Sequence, residues 1–179
     1  STPASSTLKL TRADGSPVRV LVVDDEANLT ELLAMALRYE GWDVRTAGTG
    51  TMAVRAAKEF MPDAVVLDIR MPSDDEGIAA ALEIRQWSPS MPIMLLSQHI
   101  EARRTLDLVS SGAIGYLLKD RVLDVDEFLH ALDRVAAGGT ALDGDVVARL
   151  VGTARTSSVL DSLTPRELEV LSLMAQGWS

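Results

Sequence analysis

The chain contains no cysteine, which excludes disulfides, thiolate nucleophiles and Cys-ligated zinc. It has only two histidines, His99 and His130, too few for a His-rich metal site, so any metal must be held by oxygen. Positive charge is also short: 17 Lys and Arg stand against 26 Asp and Glu, a net charge of −9. Such a chain lacks the broad basic field that non-specific nucleic-acid binding relies on, and leaves room only for a small basic patch. Long apolar runs are missing as well. None approaches the roughly 18 residues of a membrane span, and the Ser/Thr/Pro-rich start has no apolar signal-peptide core. The expectation is a cytoplasmic protein with no membrane partner.

What is present is enough for one core of ordinary size plus something small, with 179 residues of which 47% are hydrophobic. Residues 1–17 mix Ser, Thr, Pro, Gly and charge without periodicity and read as a flexible leader. Residues 18–23 form an apolar run, broken only by Arg19, that stops at Asp24, Asp25 and Glu26. Leu29, Leu32, Leu33, Ala36 and Leu37 then mark one face of a helix that Gly41 ends. Trp42, Val44 and Thr46 alternate with Asp43 and Arg45, the pattern of a strand at a sheet edge. An Ala-rich helix follows from Gly50 to near Phe60.

The central stretch is residues 63–72, Asp-Ala-Val-Val-Leu-Asp-Ile-Arg-Met-Pro. Ala64 to Leu67 fit a strand buried on both faces, and Asp68 interrupts the run where that strand should end. A lone carboxylate there either caps the following loop or serves a site, because open parallel sheets bind ligands at the carboxyl ends of their strands. Beyond it, residues 77–87 read as a helix with Ile78, Leu82 and Arg85 in register. Residues 93–96 read as a strand ending on Ser97, 101–111 as a helix, and 114–118 as a strand ending on Lys119. Asp124 and Glu127 open a further helix with Val125, Phe128, Leu129, Leu132 and Val135 on one face.

Five strands alternating with five helices imply an α/β fold, a doubly wound parallel sheet of flavodoxin-like order 2-1-3-4-5 that puts the alternating strand at an edge. This domain spans 18–137, closed by Gly138 and Gly139. Residues 138–162 read as a linker with a short helix near 143–151. Residues 163–179 open on a helix start: Thr164 as N-cap, Pro165 at the first helical position, Glu167 completing a capping box, and Leu163 stapled to Leu168. The Leu168, Leu171 and Met174 face of that helix is expected to fold back on another surface, pair with a second copy, or fray.

In this order the ends of strands one, three, four and five face one crevice, which gathers Asp24, Asp25, Asp68, Ser97 and Lys119. Converging carboxylates repel unless a cation neutralises them, and hard oxygens favour Mg²⁺, which keeps waters and leaves room for a phosphate. Lys119 offers a point charge and Ser97 a short hydroxyl donor. The set suits transfer of a phosphoryl group onto a carboxylate.

The segments Val-Leu-Val-Val-Asp-Asp-Glu, Val-Val-Leu-Asp-Ile-Arg-Met-Pro, Met-Leu-Leu-Ser and Gly-Tyr-Leu-Leu-Lys-Asp resemble the receiver domain of bacterial two-component response regulators. The tail from Leu163 resembles the first helix of a LuxR-type DNA-binding domain, without the scaffold and recognition helices that follow it in that family. The resemblance implies that Asp68 is the phospho-acceptor and that Mg²⁺ is held by Asp25 directly, Asp24 through water, Asp68 and the backbone carbonyl of Arg70. It implies that Lys119 pairs with the phosphoryl group, that Ser97 swings to hydrogen-bond it, and that Tyr116 is the coupled aromatic. For Tyr116 the alternative is a half-buried edge aromatic with its hydroxyl in water. The implied partners are a sensor histidine kinase and a second copy in a homodimer, with DNA engaged only through a complete output domain. The implied function is a phosphorylation-controlled switch of transcription, not a metabolic enzyme.

Three features depart from the family pattern. Residues 71–77 are one residue longer than the usual Met-Pro-x-x-Asp-Gly; Gln98 stands where many receivers carry Ala or Gly; and the sequence to about Ile69 reads as OmpR-type, but from Glu76 as LuxR-type. Two other functions compete. A haloacid-dehalogenase-type phosphatase needs a second Asp two residues after the nucleophile, where this chain has Arg70. A phosphorylation-independent dimerisation module has no use for the intact acid set. His99 and His130 read as solvated, Met91 and Met94 as core packing, and Arg103 with Arg104 as a solvated helix face.

Overall fold

The computed structural model describes residues 11–71, 76–99, 108, 113–142, 144–156 and 164–175. Six parallel strands form one sheet: β1 Arg19–Val23, β2 Asp43–Ala47, β3 Ala64–Asp68, β4 Ile93–Ser97, β5 Ile114–Leu118 and β6 Ala141–Leu142. Their order is β2-β1-β3-β4-β5-β6. The expected five strands take their expected order, and a sixth extends the sheet beyond β5. Two residues are too few for a hydrophobic alternation to show, so β6 lay hidden in what read as linker.

The helices are α1 Ala27–Tyr39, α2 Gly50–Phe60, α3 Glu76–Trp87, α4 Val125–Ala136, α5 Gly144–Thr156 and α6 Pro165–Ala175, with a 3-10 turn at Lys119–Leu123. The helix expected at 101–111 falls outside the described residues apart from Leu108, which is buried. Strands β1, β3 and β4 are covered on both faces, which is why their sequences read as unbroken apolar runs. Val20, Val22, Val66, Met94 and Leu96 pack toward α1 and α4, and Leu21, Val23, Val65, Leu67 and Leu95 toward α2 and α3. On the edge strand β2, Val44 and Ala47 are buried, whereas Thr46 is exposed, contrary to the simple alternation. Arg45 lies over the Phe60 ring at 4.8 Å and shields it from the outside.

Two helices bury their expected faces with one position changed in each. In α1 the buried positions are Thr30, Leu33, Ala34 and Leu37, while Leu32 is turned outward, because the Thr30 hydroxyl donates to the carbonyls of Asp24 (3.3 Å) and Glu26 (3.0 Å). In α3, Ile78 and Arg85 face in as expected, but Leu82 faces out and Ile84 takes its place inside. The leader is structured from residue 11: Thr11 bridges Pro17 in an antiparallel turn, and Arg12 pairs with Asp63 at 3.4 Å.

The C-terminal segment is also more than a linker. Gly138, at φ +94, ends α4 with its amide on the Val135 carbonyl and turns the chain into β6, a backbone conformation that glycine adopts without penalty. Val146 and Leu150 of α5 are buried in the same cluster as Tyr116 and Leu108. Helix α6 is capped as its sequence predicts, Thr164 Oγ1 accepting from the Glu167 amide (3.2 Å) and Glu167 Oε2 from the Thr164 amide (2.8 Å). It packs on α5 with Leu171 and Met174 buried, so of the three expected outcomes it folds back. Leu163 and the side chain of Leu168 lie outside the described residues.

Candidate functional site

Strand register alone brings the site together. Val23 pairs with Leu67 across β1 and β3, so the next residues, Asp24 and Asp68, are neighbours. Asp68 pairs with Leu96 and Ser97 with Leu118, which sets Ser97 and Lys119 on the other side of Asp68. All four lie where buried strands emerge at one end of the sheet, the place where doubly wound folds bind ligands.

Asp24 and Asp68 are 3% and 4% exposed, and Asp25 is exposed. Carboxylate oxygens of the three lie within 4.8 Å of one another. Lys119 Nζ is 2.9 Å from Asp68 Oδ2, 3.1 Å from Asp24 Oδ2 and 3.7 Å from Glu26 Oε1. The amide of Arg70 donates to Asp68 Oδ1 at 3.2 Å, and the amide of Glu26 to Asp24 Oδ1 at 2.9 Å. Asp24 Oδ2 has the Lys119 charge beside it but no aligned hydrogen bond, a costly state for a buried oxygen. Asp25, Glu26, Asp68, Arg70, Gln98, His99 and Lys119 line an open crevice of about 150 Å³.

Burial pushes Asp24 up to about 6, the amide of Glu26 and Lys119 opposing and the charge of Asp68 adding to it. Asp68 is raised by burial too, against the hydrogen bond and charge of Lys119. For Lys119 burial acts to lower the pKa, but the hydrogen bond to Asp68 and the ion pairs with Asp68 and Asp24 outweigh it and the ammonium is held more firmly charged. The crevice is thus over-supplied with negative charge that one ammonium does not neutralise.

Ser97 is 2% exposed, and its hydroxyl is turned to the backbone of His99, donating to the carbonyl and accepting from the amide at 3.2 Å. Tyr116 is fully buried, and its hydroxyl donates to the same carbonyl at 3.1 Å. The alternative of a half-buried aromatic with a wet hydroxyl is therefore overturned, because β6 covers β5 and Tyr116 is no longer on an edge strand.

Residues 72–75 of the lengthened loop lie outside the described residues. Its end is fixed by Gly77, whose amide donates to the Ile69 carbonyl at 3.1 Å. A Cβ on Gly77 would lie 2.0 Å from the Asp68 carbonyl oxygen, so only glycine lets α3 start this close to the end of β3. Glu76 Oε1, one residue earlier, accepts from the amide of Gly50 at 2.8 Å and caps α2 from outside that helix.

Sequence reasoning missed Glu26 as a partner of Lys119 and the His99 carbonyl as a shared acceptor. Glu26 was visible as the third acid in a row; a backbone acceptor leaves no residue-type signal. His99 is exposed, as expected, but lines the crevice. His130 is exposed with Nδ1 2.7 Å from the Asp126 carbonyl, and Met91 and Met94 are buried. Arg103 and Arg104 lie outside the described residues.

Fold and crevice together define a flavodoxin-like α/β protein with an acidic cluster and a lysine at the strand ends. The model of the response regulator receiver domain matches residues 20–133, and the chain belongs to that family. It is 39% identical over 172 residues to the probable transcriptional regulatory protein TcrX of Mycobacterium tuberculosis, covering 91% of this chain and 73% of that one. A two-component response regulator of the LuxR family from Aurantimonas sp. SI85-9A1 superposes with a TM-score of 0.65 at 30% identity, over 79% of this chain and all of that one. The CheY of a CheX-CheY-BeF3-Mg²⁺ complex from Borrelia burgdorferi superposes at 0.59 and 26% identity, over 70% and 98% of the two chains. The family is one of signalling switches, not of metabolic enzymes. Among the described residues no helix is long and apolar enough to cross a membrane.

Proposed function

We propose that this chain is the receiver of a cytoplasmic transcription regulator and takes a phosphoryl group from a sensor histidine kinase onto Asp68. The observation that carries this is the Asp68 carboxylate, nearly buried at the end of the central strand, with Lys119 at 2.9 Å on one side and Asp24 and Asp25 on the other. In the transfer, an Asp68 oxygen forms a bond to phosphorus as the phosphorus–nitrogen bond of a phosphohistidine breaks, its electron pair leaving with the imidazole. Water later cleaves the acyl phosphate and restores the carboxylate.

Attack requires Asp68 ionised, and Lys119 supplies this by opposing the effect of burial. The donor set fits a hard divalent ion: three carboxylates within 4.8 Å and a buried Asp24 oxygen without a hydrogen bond. Asp24, Asp25, Asp68 and the backbone carbonyl of Arg70 would hold Mg²⁺. Bound there, the ion would offset the charge of the acids and would supply positive charge to phosphoryl oxygens. The Borrelia relative, solved with BeF3 and Mg²⁺, supports this reading.

Ser97 must leave the His99 backbone to donate to a phosphoryl oxygen, and Tyr116, bonded to the same carbonyl, senses that departure. The output is a homodimer whose DNA contacts are made by a complete output domain. The test is intact mass after incubation with Mg²⁺ and acetyl phosphate. One phosphoryl group should be added to the parent and none to Asp68→Asn; equal uptake by both would reject Asp68.

A further inference from the structure

We infer that Thr30 is a positioning residue for the acidic turn at the end of β1: its hydroxyl holds the peptide that leads into Asp25, and so aims the exposed carboxylate of the crevice at a divalent ion. The inference deepens the proposed function and rests on its reading of Asp25 as a metal ligand.

Asp25 sits between two peptide units that are each held by a side chain. The carbonyl of Asp24, in the peptide before Asp25, accepts from Thr30 Oγ1 at 3.3 Å. The amide of Glu26, in the peptide after it, donates to Asp24 Oδ1 at 2.9 Å. The Asp25 side chain is exposed and has no hydrogen-bond partner among the described residues, so these two peptide planes set its direction. Upstream, the turn is anchored by the Asp24 amide, which donates to the Ala47 carbonyl at 3.1 Å. β2 ends at Ala47, so the ladder does not continue to a partner for the Asp24 carbonyl, and the threonine hydroxyl takes that place.

Thr30 is 7% exposed, and its hydroxyl is shared with the Glu26 carbonyl at 3.0 Å. That second contact is the ordinary back-bond of a helical threonine and would by itself be no more than local helix chemistry. The contact with Asp24 is different, because it spans six residues and leaves α1 for the end of β1. The N-cap Glu26 makes no side-chain hydrogen bond to α1 and lies instead 3.7 Å from Lys119, so the helix start is not tied to the turn by a capping side chain. A valine would fill the same space and leave the Asp24 carbonyl without this donor. A ligand carried on a turn that is free to move loses that freedom on binding, and affinity falls accordingly; a turn held beforehand avoids the loss.

Calorimetric titration of Mg²⁺ into the full chain tests this. Thr30→Val removes the donor and should weaken Mg²⁺ binding about fivefold, the scale of one hydrogen bond. Thr30→Ser keeps the donor, loses the methyl group and should bind Mg²⁺ as the parent does. Thr30→Ala differs from Thr30→Ser by the hydroxyl alone and should repeat the loss seen with valine, which keeps the comparison decisive if the valine variant folds poorly. Stability does not sort these variants, since each loses a buried methyl group, a buried hydrogen bond or both. Phosphoryl uptake from acetyl phosphate, followed by intact mass, should need about fivefold more Mg²⁺ to reach half its maximal rate in the variants without the hydroxyl. Parental Mg²⁺ affinity in Thr30→Ala overturns the role of Thr30 and leaves Asp25 as a ligand. Equal loss in Thr30→Ser and Thr30→Ala overturns it too, because packing and not the hydroxyl would then govern the turn. A parent that binds no Mg²⁺ rejects the metal site of the proposed function itself, and the role of Thr30 falls with it.

Discussion

Lys119 Nζ lies 2.9 Å from Asp68 Oδ2 and is at the same time within 3.1 Å of Asp24, so one ammonium bridges two nearly buried carboxylates. Removing it strands both acids in the place where charge is hardest to hydrate. Lys119→Met should lower stability by about 3 kcal/mol at neutral pH without Mg²⁺, as breaking buried pairs does. Part of the loss should return with millimolar Mg²⁺, which replaces the lost positive charge. Urea unfolding measures both, and a midpoint that does not move would show that the bridge contributes nothing.

The pH dependence of Asp24 has the opposite sense from that of an ordinary salt-bridged acid. Its pKa in the fold is about 6, above the usual 3.8, chiefly through burial. The native state therefore holds a proton that the unfolded chain has given up, and stability falls as pH rises from about 4 through 6. Asp24→Asn mimics the protonated form. It should be more stable than the parent by about 1–2 kcal/mol at pH 7.5 in the absence of divalent ions, part of what the rise from 3.8 to about 6 implies. The advantage should shrink as pH falls through 6 and vanish below about pH 4, the unfolded-chain value. An Asn variant less stable than the parent at every pH would show that Asp24 is stabilised as the anion.

Divalent ion should reverse that ranking. Mg²⁺ binds the ionised acids and competes with protons, so it should raise the melting temperature of the parent more at pH 7.5 than at pH 5. Asp24→Asn and Asp25→Ala should each lose most of this increment. Calorimetric titration checks the same point, and an Asp25→Ala chain that titrates like the parent would move the metal site elsewhere.

The strand ends were legible because each buried apolar run stops at a polar residue that has no packing reason to be there: Asp24, Asp68, Ser97, Lys119. Parallel order then makes neighbours of residues far apart in sequence. Helix faces were read less well where a polar group competes for the interior. Thr30 displaced Leu32 because its hydroxyl reaches two carbonyls, and Leu82 is exposed beside Ile78 and Arg85, which are buried as expected. β6 was too short to carry a period, and its existence explains why Tyr116 is buried. The roles of the crevice residues came from resemblance, since no pattern of residue types separates a nucleophilic aspartate from a metal-binding one.

Glycine positions near the site should tolerate alanine unequally. At Gly77 a Cβ meets two backbone carbonyls, at 2.0 Å from Asp68 and 2.5 Å from Ile69. At Gly50 it meets first the flexible Cγ of Glu76, at 2.7 Å. Gly77→Ala should therefore cost about 2–4 kcal/mol and displace Asp68, while Gly50→Ala should cost about 1 kcal/mol. Denaturant unfolding ranks the two, and phosphoryl uptake should drop for Gly77→Ala alone. Equal costs would mean that the start of α3 is free to shift.

Arg85 is 6% exposed, and its guanidinium donates to three backbone carbonyls: Met91 at 3.3 Å, Leu108 at 2.6 Å, and Ala113. Burial pulls its pKa down to about 10, so it remains charged at neutral pH. These carbonyls belong to the chain entering β4, to Leu108, and to the chain entering β5. A single planar donor thus ties Leu108 to the starts of β4 and β5, where the Ala113 carbonyl also accepts from the Ile93 amide at 3.2 Å, and this suits guanidinium and not ammonium geometry. Arg85→Met keeps the aliphatic volume but leaves buried acceptors unpaired, and should cost about 3–5 kcal/mol. Arg85→Lys, able to reach fewer of the three, should recover less than half of that loss. Hydrogen exchange should rise first in peptides spanning 108–118, ahead of β1 and β3. If Lys restores full stability, the site needs only a positive charge and the fork-shaped fit to three carbonyls is not what holds Arg85 inside.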